Sequence, residues 1–166
     1  MSRYAKLMKN DVVDGKGVCV SLWMQGCPFH CFNCHNPETW DENGGYEATD
    51  DLIEEILYAI RENGIDRNFS VLGGEPLAVY NRKFVAKVID AVRKKYPSIE
   101  IYVWSGYTYE DLVSMNDEDI NTVLELSDFL IDGRYDDSIR DITLELRGSS
   151  NQRVISLTND FQKTDR

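Results

Sequence analysis

Three cysteines fall within eight residues, Cys27, Cys31 and Cys34, in the run Cys-Pro-Phe-His-Cys-Phe-Asn-Cys. The spacing is C-x3-C-x2-C, and no fourth cysteine follows to complete the set. Thiolates are soft ligands that suit iron and sulfide. A structural zinc site takes four ligands, and so does an ordinary four-iron cluster. Three thiolates in one short loop hold three irons of a cubane and leave the fourth iron open to a second molecule. Two plainer readings fit the same residues. His30 or His35 would complete a Cys3His zinc knuckle, or the cysteines are buried and inert.

A second group of residues follows a short apolar run, as Gly73-Gly74-Glu75-Pro76. Two glycines expose backbone N–H and C=O groups with no side chain in the way, so a ligand's ammonium or carboxylate can approach closely. The plainer reading is a two-glycine turn with Glu75 in solvent. Cys19 stands among Val18, Val20 and Leu22, and reads as a small buried apolar side chain. Trp23, Trp40 and Trp104 read as core.

The elements that must position these residues follow from periodicity. Val18 to Met24 is a mostly apolar, partly β-branched run and reads as a strand. Asp50 to Asn63 carries an apolar stripe at helical spacing, with Thr49 as N-cap and Gly64 as a C-terminal stop. Phe69 to Leu72 is a strand, Arg82 to Tyr96 a helix ended by Pro97, and Ile99 to Trp104 a strand. Thr108-Tyr-Glu-Asp111 has the form of a capping box opening a short helix, and Asn116 caps another that runs through Leu126. Asp128 to Ile131 and Val154 to Leu157 are further strands, and 158–166 is a polar tail. Strands alternating with helices of this length imply βαβ units and a mainly parallel sheet. In such sheets ligands gather at the C-terminal ends of the strands. Four strands run straight into glycine-containing polar segments: Gln25-Gly26-Cys27, Gly73-Gly74-Glu75-Pro76, Ser105-Gly106-Tyr107 and Asp132-Gly133-Arg134. Parallel strands would bring all four to one rim.

The totals narrow the function class. At 166 residues, 42% hydrophobic and 28% charged, the chain has the composition of one globular domain spanning 1–166. Its four cysteines crowd the first fifth of the sequence, a metal-binding pattern of a reducing compartment rather than a disulfide framework. The N-terminal residues hold no apolar signal segment and no run is long enough to span a membrane, so a cytoplasmic location is expected. A net charge of −11 argues against nucleic acid or an anionic membrane as partner. The basic cluster Arg93-Lys94-Lys95 closes a helix, where cations suit the dipole.

The cysteine spacing together with Gly73-Gly74-Glu75-Pro76 resembles the radical S-adenosylmethionine (SAM) superfamily. The run from Gly26 through His35-Asn36-Pro37-Glu38-Thr39-Trp40 is similar to the glycyl-radical-enzyme activases, in particular those of anaerobic ribonucleoside-triphosphate reductase. Arg147-Gly-Ser-Ser-Asn-Gln-Arg153 also resembles that family, so the likeness runs from about Asp14 to Leu157. It implies an α/β fold of the incomplete βα-barrel type. It also implies a [4Fe-4S] cluster on Cys27, Cys31 and Cys34 and SAM at the open iron. Reductive cleavage would give a 5′-deoxyadenosyl radical, which abstracts hydrogen from a glycine of the large catalytic subunit of the reductase. The electron would come from a low-potential donor such as flavodoxin. The candidate cofactor-binding residues are Asn33, His35, Gly73, Gly74, Glu75, Ser105 and Asp132. For Asp132, the alternatives are a ribose hydroxyl contact and a cap on the following turn. The chain departs from the family pattern twice. Asn33 precedes the third cysteine where an aromatic residue is common, the aromatic being Phe32, and Asp14-Gly15-Lys16-Gly17 replaces Asp-Gly-Pro-Gly. Three other readings remain: an activase of another glycyl radical enzyme such as pyruvate formate-lyase, an iron–sulfur protein that never cleaves SAM, and a zinc-knuckle interaction module.

Overall fold

The structure, a computed structural model, describes residues 1–158. All of the expected polar tail except Thr158 lies outside the described residues. Seven strands form one open sheet: β1 (Arg3–Asp11), β2 (Cys19–Met24), β3 (Tyr46–Glu47), β4 (Asn68–Gly73), β5 (Ile101–Ser105), β6 (Phe129–Asp132) and β7 (Arg153–Ser156). Their spatial order is β3-β1-β2-β4-β5-β6-β7. The four strands β2, β4, β5 and β6 run parallel to one another, as expected. β1 lies antiparallel against β2, β3 against β1, and β7 against β6. The crossovers carry α1 (Asp50–Ile60), α2 (Arg82–Lys95), then α3 (Tyr109–Ser114) and α4 (Glu118–Leu126).

Alternation along the parallel strands explains the layering. Val20, Leu22 and Met24 of β2 join Phe69, Val71, Ile101, Val103 and Leu130 in one core cluster. Into the same cluster α1 sends Ile53, Ile56 and Ile60, α2 sends Val85, Val88 and Ile89, and α4 sends Ile120 and Val123. The intervening residues point to the opposite face. There Lys6 pairs with Trp23, Trp23 with Leu72, and Trp104 with Ile131, and these side chains line a cavity. One face of the sheet is therefore packed by helices and the other floors the cavity.

Element ends differ from expectation for local reasons. α1 stops at Ile60 rather than Asn63, because Asn63 adopts φ 59° inside a 3-10 turn over Glu62–Gly64. The cap of α4 is Asp117, whose carboxylate accepts from Asp119 N (2.9 Å) and Ile120 N (3.0 Å). Asn116 sits one residue earlier at φ 48°, outside the helix. Thr108 caps α3 as its sequence suggests, accepting from Asp111 N at 3.1 Å. Thr49 precedes α1 in extended backbone without a side-chain cap bond.

Candidate functional site

The four polar segments after β2, β4, β5 and β6 do meet. Cys27, Gly73, Gly74, Ser105, Gly106, Gly133 and Arg134 all line one cavity of about 650 Å³. Cys31, Cys34 and His35 line it too, and Leu144, Leu146 and Arg147 reach it from the loop before β7.

The cysteine loop is anchored at its base. Gly26, at φ 96°, donates to Thr39 O at 2.6 Å, and Cys27 N donates to Trp40 O at 3.1 Å. The Gln25 amide donates to Glu38 O (3.0 Å) and Asp41 O (2.9 Å), closing the loop from within. Inside it Cys34 N donates to Cys31 O at 3.0 Å, and Asn36 N donates to Cys34 Sγ at 3.4 Å. All three loop thiols are free and half-buried. Burial pushes the Cys27 thiol up, with Glu75 adding to it and backbone N–H groups of Phe29 and His30 opposing. Cys31 is also raised by burial and by Cys34, against the Tyr135 backbone and the Arg134 guanidinium. Such thiols stay protonated until a soft metal displaces the proton. Among the described residues no three His, Cys, Asp or Glu side chains already stand at metal-ligand geometry. His30 is stacked on Trp40 (4.6 Å, 11°), and His35 packs against Tyr135 at 5.2 Å. Cys19 is fully buried at the opposite end of β2, where burial pushes its thiol up to about 11.

The donor set fits an iron–sulfur group. Three soft ligands line one cavity and a backbone N–H is directed at one of the sulfurs. The indole Nε1 of Trp40, another lining residue, is buried with no partner among the described residues.

Gly73 and Gly74 line the cavity, and their bareness has a second cause. A Cβ on Gly73 (φ 107°) would lie 2.6 Å from Met24 N, and one on Gly74 would collide with Gly26 O. The glycines let the ends of β2 and β4 approach, as Gly74 N to Met24 O (2.9 Å) and Glu75 N to Gly26 O (2.8 Å) show. Glu75 is not in solvent. Its Oε1 accepts from Leu77 N (2.9 Å) and Ser105 Oγ (2.8 Å), and its Oε2 from Gly106 N (2.6 Å). Burial pushes its carboxyl up to about 7, against the pull of those donors. Glu75 and Ser105 thus stitch the β4 and β5 rims together.

Asp132 is buried and used within the fold. It accepts from Tyr109 N at 2.7 Å and pairs with Arg153, which also meets Glu110. It caps α3 rather than the following turn, and it lines a neighbouring surface pocket instead of the main cavity. Asn33, at φ 56°, donates its amide to Asp137 Oδ2 at 3.1 Å, a partner 104 residues away.

Other lining residues were not singled out by the sequence. Arg134 places its guanidinium 4.3 Å from the Phe29 ring, over the cysteine loop. Its signal was its place beside Asp132 and Gly133 on the rim. At the cavity's far end stands a carboxylate pair. Burial works to raise Asp11, but bonds from Asp14, Val13 N and Ser21 Oγ outweigh it and leave its carboxyl below the ordinary range. Asp14 is pushed up to about 7, by burial first and then by Asp11.

Comparison with known proteins agrees with this geometry. The family model described as "4Fe-4S single cluster domain" matches residues 13–155. A protein of Vibrio cholerae serotype O1 is 32% identical over 89% of this chain and 94% of its own length. One of Enterobacteria phage T4 is 30% identical over 98% and 99%, and one of Escherichia coli 32% over 87% and 92%. All three are called anaerobic ribonucleoside-triphosphate reductase-activating protein.

Proposed function

This chain belongs to the 4Fe-4S single cluster domain family and to the anaerobic ribonucleoside-triphosphate reductase-activating proteins, and on that premise we propose that it activates such a reductase by radical SAM chemistry. The observation that carries the proposal is the meeting of three free thiols with four parallel strand ends around one cavity of about 650 Å³.

Cys27, Cys31 and Cys34 hold the [4Fe-4S] cluster. A cluster held there would supply the electron for reductive cleavage of SAM, chemistry that serves hydrogen abstraction from a glycine of the reductase. Gly73 and Gly74 present backbone beside the thiols, where the methionine end of SAM would lie. His35 stands on the same wall. Glu75 and Ser105 hold the rims at fixed spacing, and Asp132 with Arg153 fixes the wall after β6. Asn33 acts by bracing the cysteine loop against Asp137. The apolar floor of Trp23, Leu72, Trp104 and Ile131 excludes water from the region where a reactive radical would form. We read the sheet and its outer helices as the incomplete βα barrel of this family, one domain open on the side where a partner's glycine must enter. Among the described residues no helix is long and apolar enough to cross a membrane, in keeping with a cytoplasmic enzyme served by a donor such as flavodoxin.

The test is direct. Anaerobically reconstituted protein is reduced and mixed with SAM and the large reductase subunit, and the mixture is examined by electron paramagnetic resonance (EPR). A glycyl radical on the subunit, with methionine and 5′-deoxyadenosine released, is expected. SAM cleavage without a radical on the reductase would point to another glycyl radical enzyme, and no cleavage would end the radical SAM reading.

A further inference from the structure

Three indole N–H groups face or flank the cavity, and the fold treats them differently. Trp23 Nε1 donates to Ser21 Oγ at 3.1 Å, and Trp104 Nε1 donates to Leu146 O at 2.9 Å. Trp40 Nε1 is buried and has no partner among the described residues. A buried donor left unmade is costly, so a native fold rarely keeps one without use. This indole is also not placed to swing into water. Its backbone N donates to Pro37 O at 3.2 Å and its carbonyl accepts from Cys27 N at 3.1 Å. Its ring lies flat against His30, at 4.6 Å and 11°. It therefore sits under the arc from Cys27 to Cys31 and lines the same cavity as the three thiols.

We propose that Trp40 is a positioning residue whose indole N–H donates a hydrogen bond to a sulfur of the iron–sulfur group held by Cys27, Cys31 and Cys34. The described residues offer this N–H no acceptor, so the acceptor arrives with whatever fills the cavity beside the thiols. Sulfide and thiolate sulfurs accept such bonds, and donors to them raise a cluster's reduction potential by favouring the more negative, reduced form. Trp40 then helps bring the cluster within reach of its electron donor. This inference rests on the cluster assignment proposed above.

Two measurements test it, both on the full chain without SAM. The first compares the midpoint potential of the reconstituted wild type with Trp40→Phe, which keeps an aromatic ring for His30 while removing the donor. The variant should load the same iron and sulfide and have a more negative potential. Equal potentials at equal loading overturn the proposal. The second guards against a variant that fails to fold or load. Wild-type protein carrying indole-15N tryptophan is reconstituted and reduced, and its cluster signal is examined by pulsed EPR. A 15N coupling is expected, and Trp40 is the indole whose N–H is open to make it. No coupling, or one that appears only once SAM is added, overturns the proposal. If the wild type forms no iron–sulfur cluster at all, the cluster assignment itself fails and the inference falls with it.

Discussion

At the residue scale, place divides the four cysteines more sharply than chemistry does. Cys27, Cys31 and Cys34 line the cavity, and Cys19 is sealed at the far end of β2. Changing any one of the three to Ala should remove the visible charge-transfer absorption of the reconstituted protein, because the proposed cluster needs each as a thiolate ligand. Cys19→Ala should keep it and lower only thermal stability; loss of the cluster in that variant would overturn the three-ligand assignment. The glycines need a different test from the one their sequence invites. A bulky residue at Gly74 would strike Gly26 O and deform the cysteine loop, so weakened SAM binding would not isolate a SAM contact. Asp14 gives a pH signature. Its folded pKa, about 7, stands above its ordinary 3.8, so the fold favours the protonated form. Its contribution to stability is full below about pH 4 and fades as the pH rises through about 7. Glu75 is raised in the same direction and shares the trend. Asp14→Asn should therefore lose less melting temperature than wild type between about pH 5 and pH 8, and equal losses would remove Asp14 from the account. The cysteine spacing was legible because ligands so close in sequence must share a loop. The Asn33 to Asp137 bond was not, since a partner 104 residues away is fixed by the tertiary fold.

At the element scale, Arg93 shows what the basic cluster ending α2 does. The guanidinium donates to Leu126 O (3.0 and 2.9 Å), Pro97 O (2.9 Å) and Ile99 O (2.9 Å), and pairs with Asp128 at 2.7 Å. Asp128 in turn accepts from Ile101 N at 2.8 Å. One side chain thus ties the ends of α2 and α4 to the starts of β5 and β6. Arg93→Ala would leave several carbonyls without this donor and the Asp128 carboxylate without its cation. It should cost roughly 2–4 kcal/mol in urea unfolding. Lys94→Ala should cost within about 0.5 kcal/mol, since its pair with Asp90 is exposed. A similar loss for both would mean the cluster serves the helix dipole alone. Periodicity located α1, α2 and the four parallel strands because each carries apolar residues toward a single core. It did not locate β1, whose Arg3-Tyr-Ala-Lys-Leu-Met-Lys-Asn-Asp11 carries three cations and little apolar alternation. That strand faces the cavity with Lys6 and Met8, and its polarity follows from that position. The two-residue β3 offers too little sequence to register at all.

At the scale of the whole molecule, one face of the sheet is covered by helices and the other opens as a cavity, so a macromolecular partner has one natural side to approach. The rim was legible because the order of strands and glycine segments dictates it. β7 was legible as a strand over Val154 to Leu157 but not its antiparallel direction, and β1 and β3 were not legible as strands, since pairing direction is set by where the chain returns. The net charge of −11 gives that approach a sign. Docking to a basic patch of the reductase should be steered by long-range attraction, which salt screens within about 8–10 Å at 0.1–0.15 M ionic strength. Pull-down with the large reductase subunit should thus succeed at low salt and weaken as salt rises, with the loss chiefly in association rate. On the proposed mechanism the chemistry should share that dependence, because hydrogen would pass from the partner's glycine Cα to 5′-deoxyadenosine inside the complex. Deuterium placed on glycine Cα of the reductase should appear in the released 5′-deoxyadenosine, in a yield that falls with salt in parallel with binding. Transfer from a small molecule instead, with none from the reductase, would mean that the cavity encloses its substrate and that its open side serves entry of a metabolite. Salt-independent transfer from the reductase would keep the activase chemistry and assign docking to apolar contact, for which Val12, Val13, Phe32, Val79 and Ile142 are among the exposed side chains.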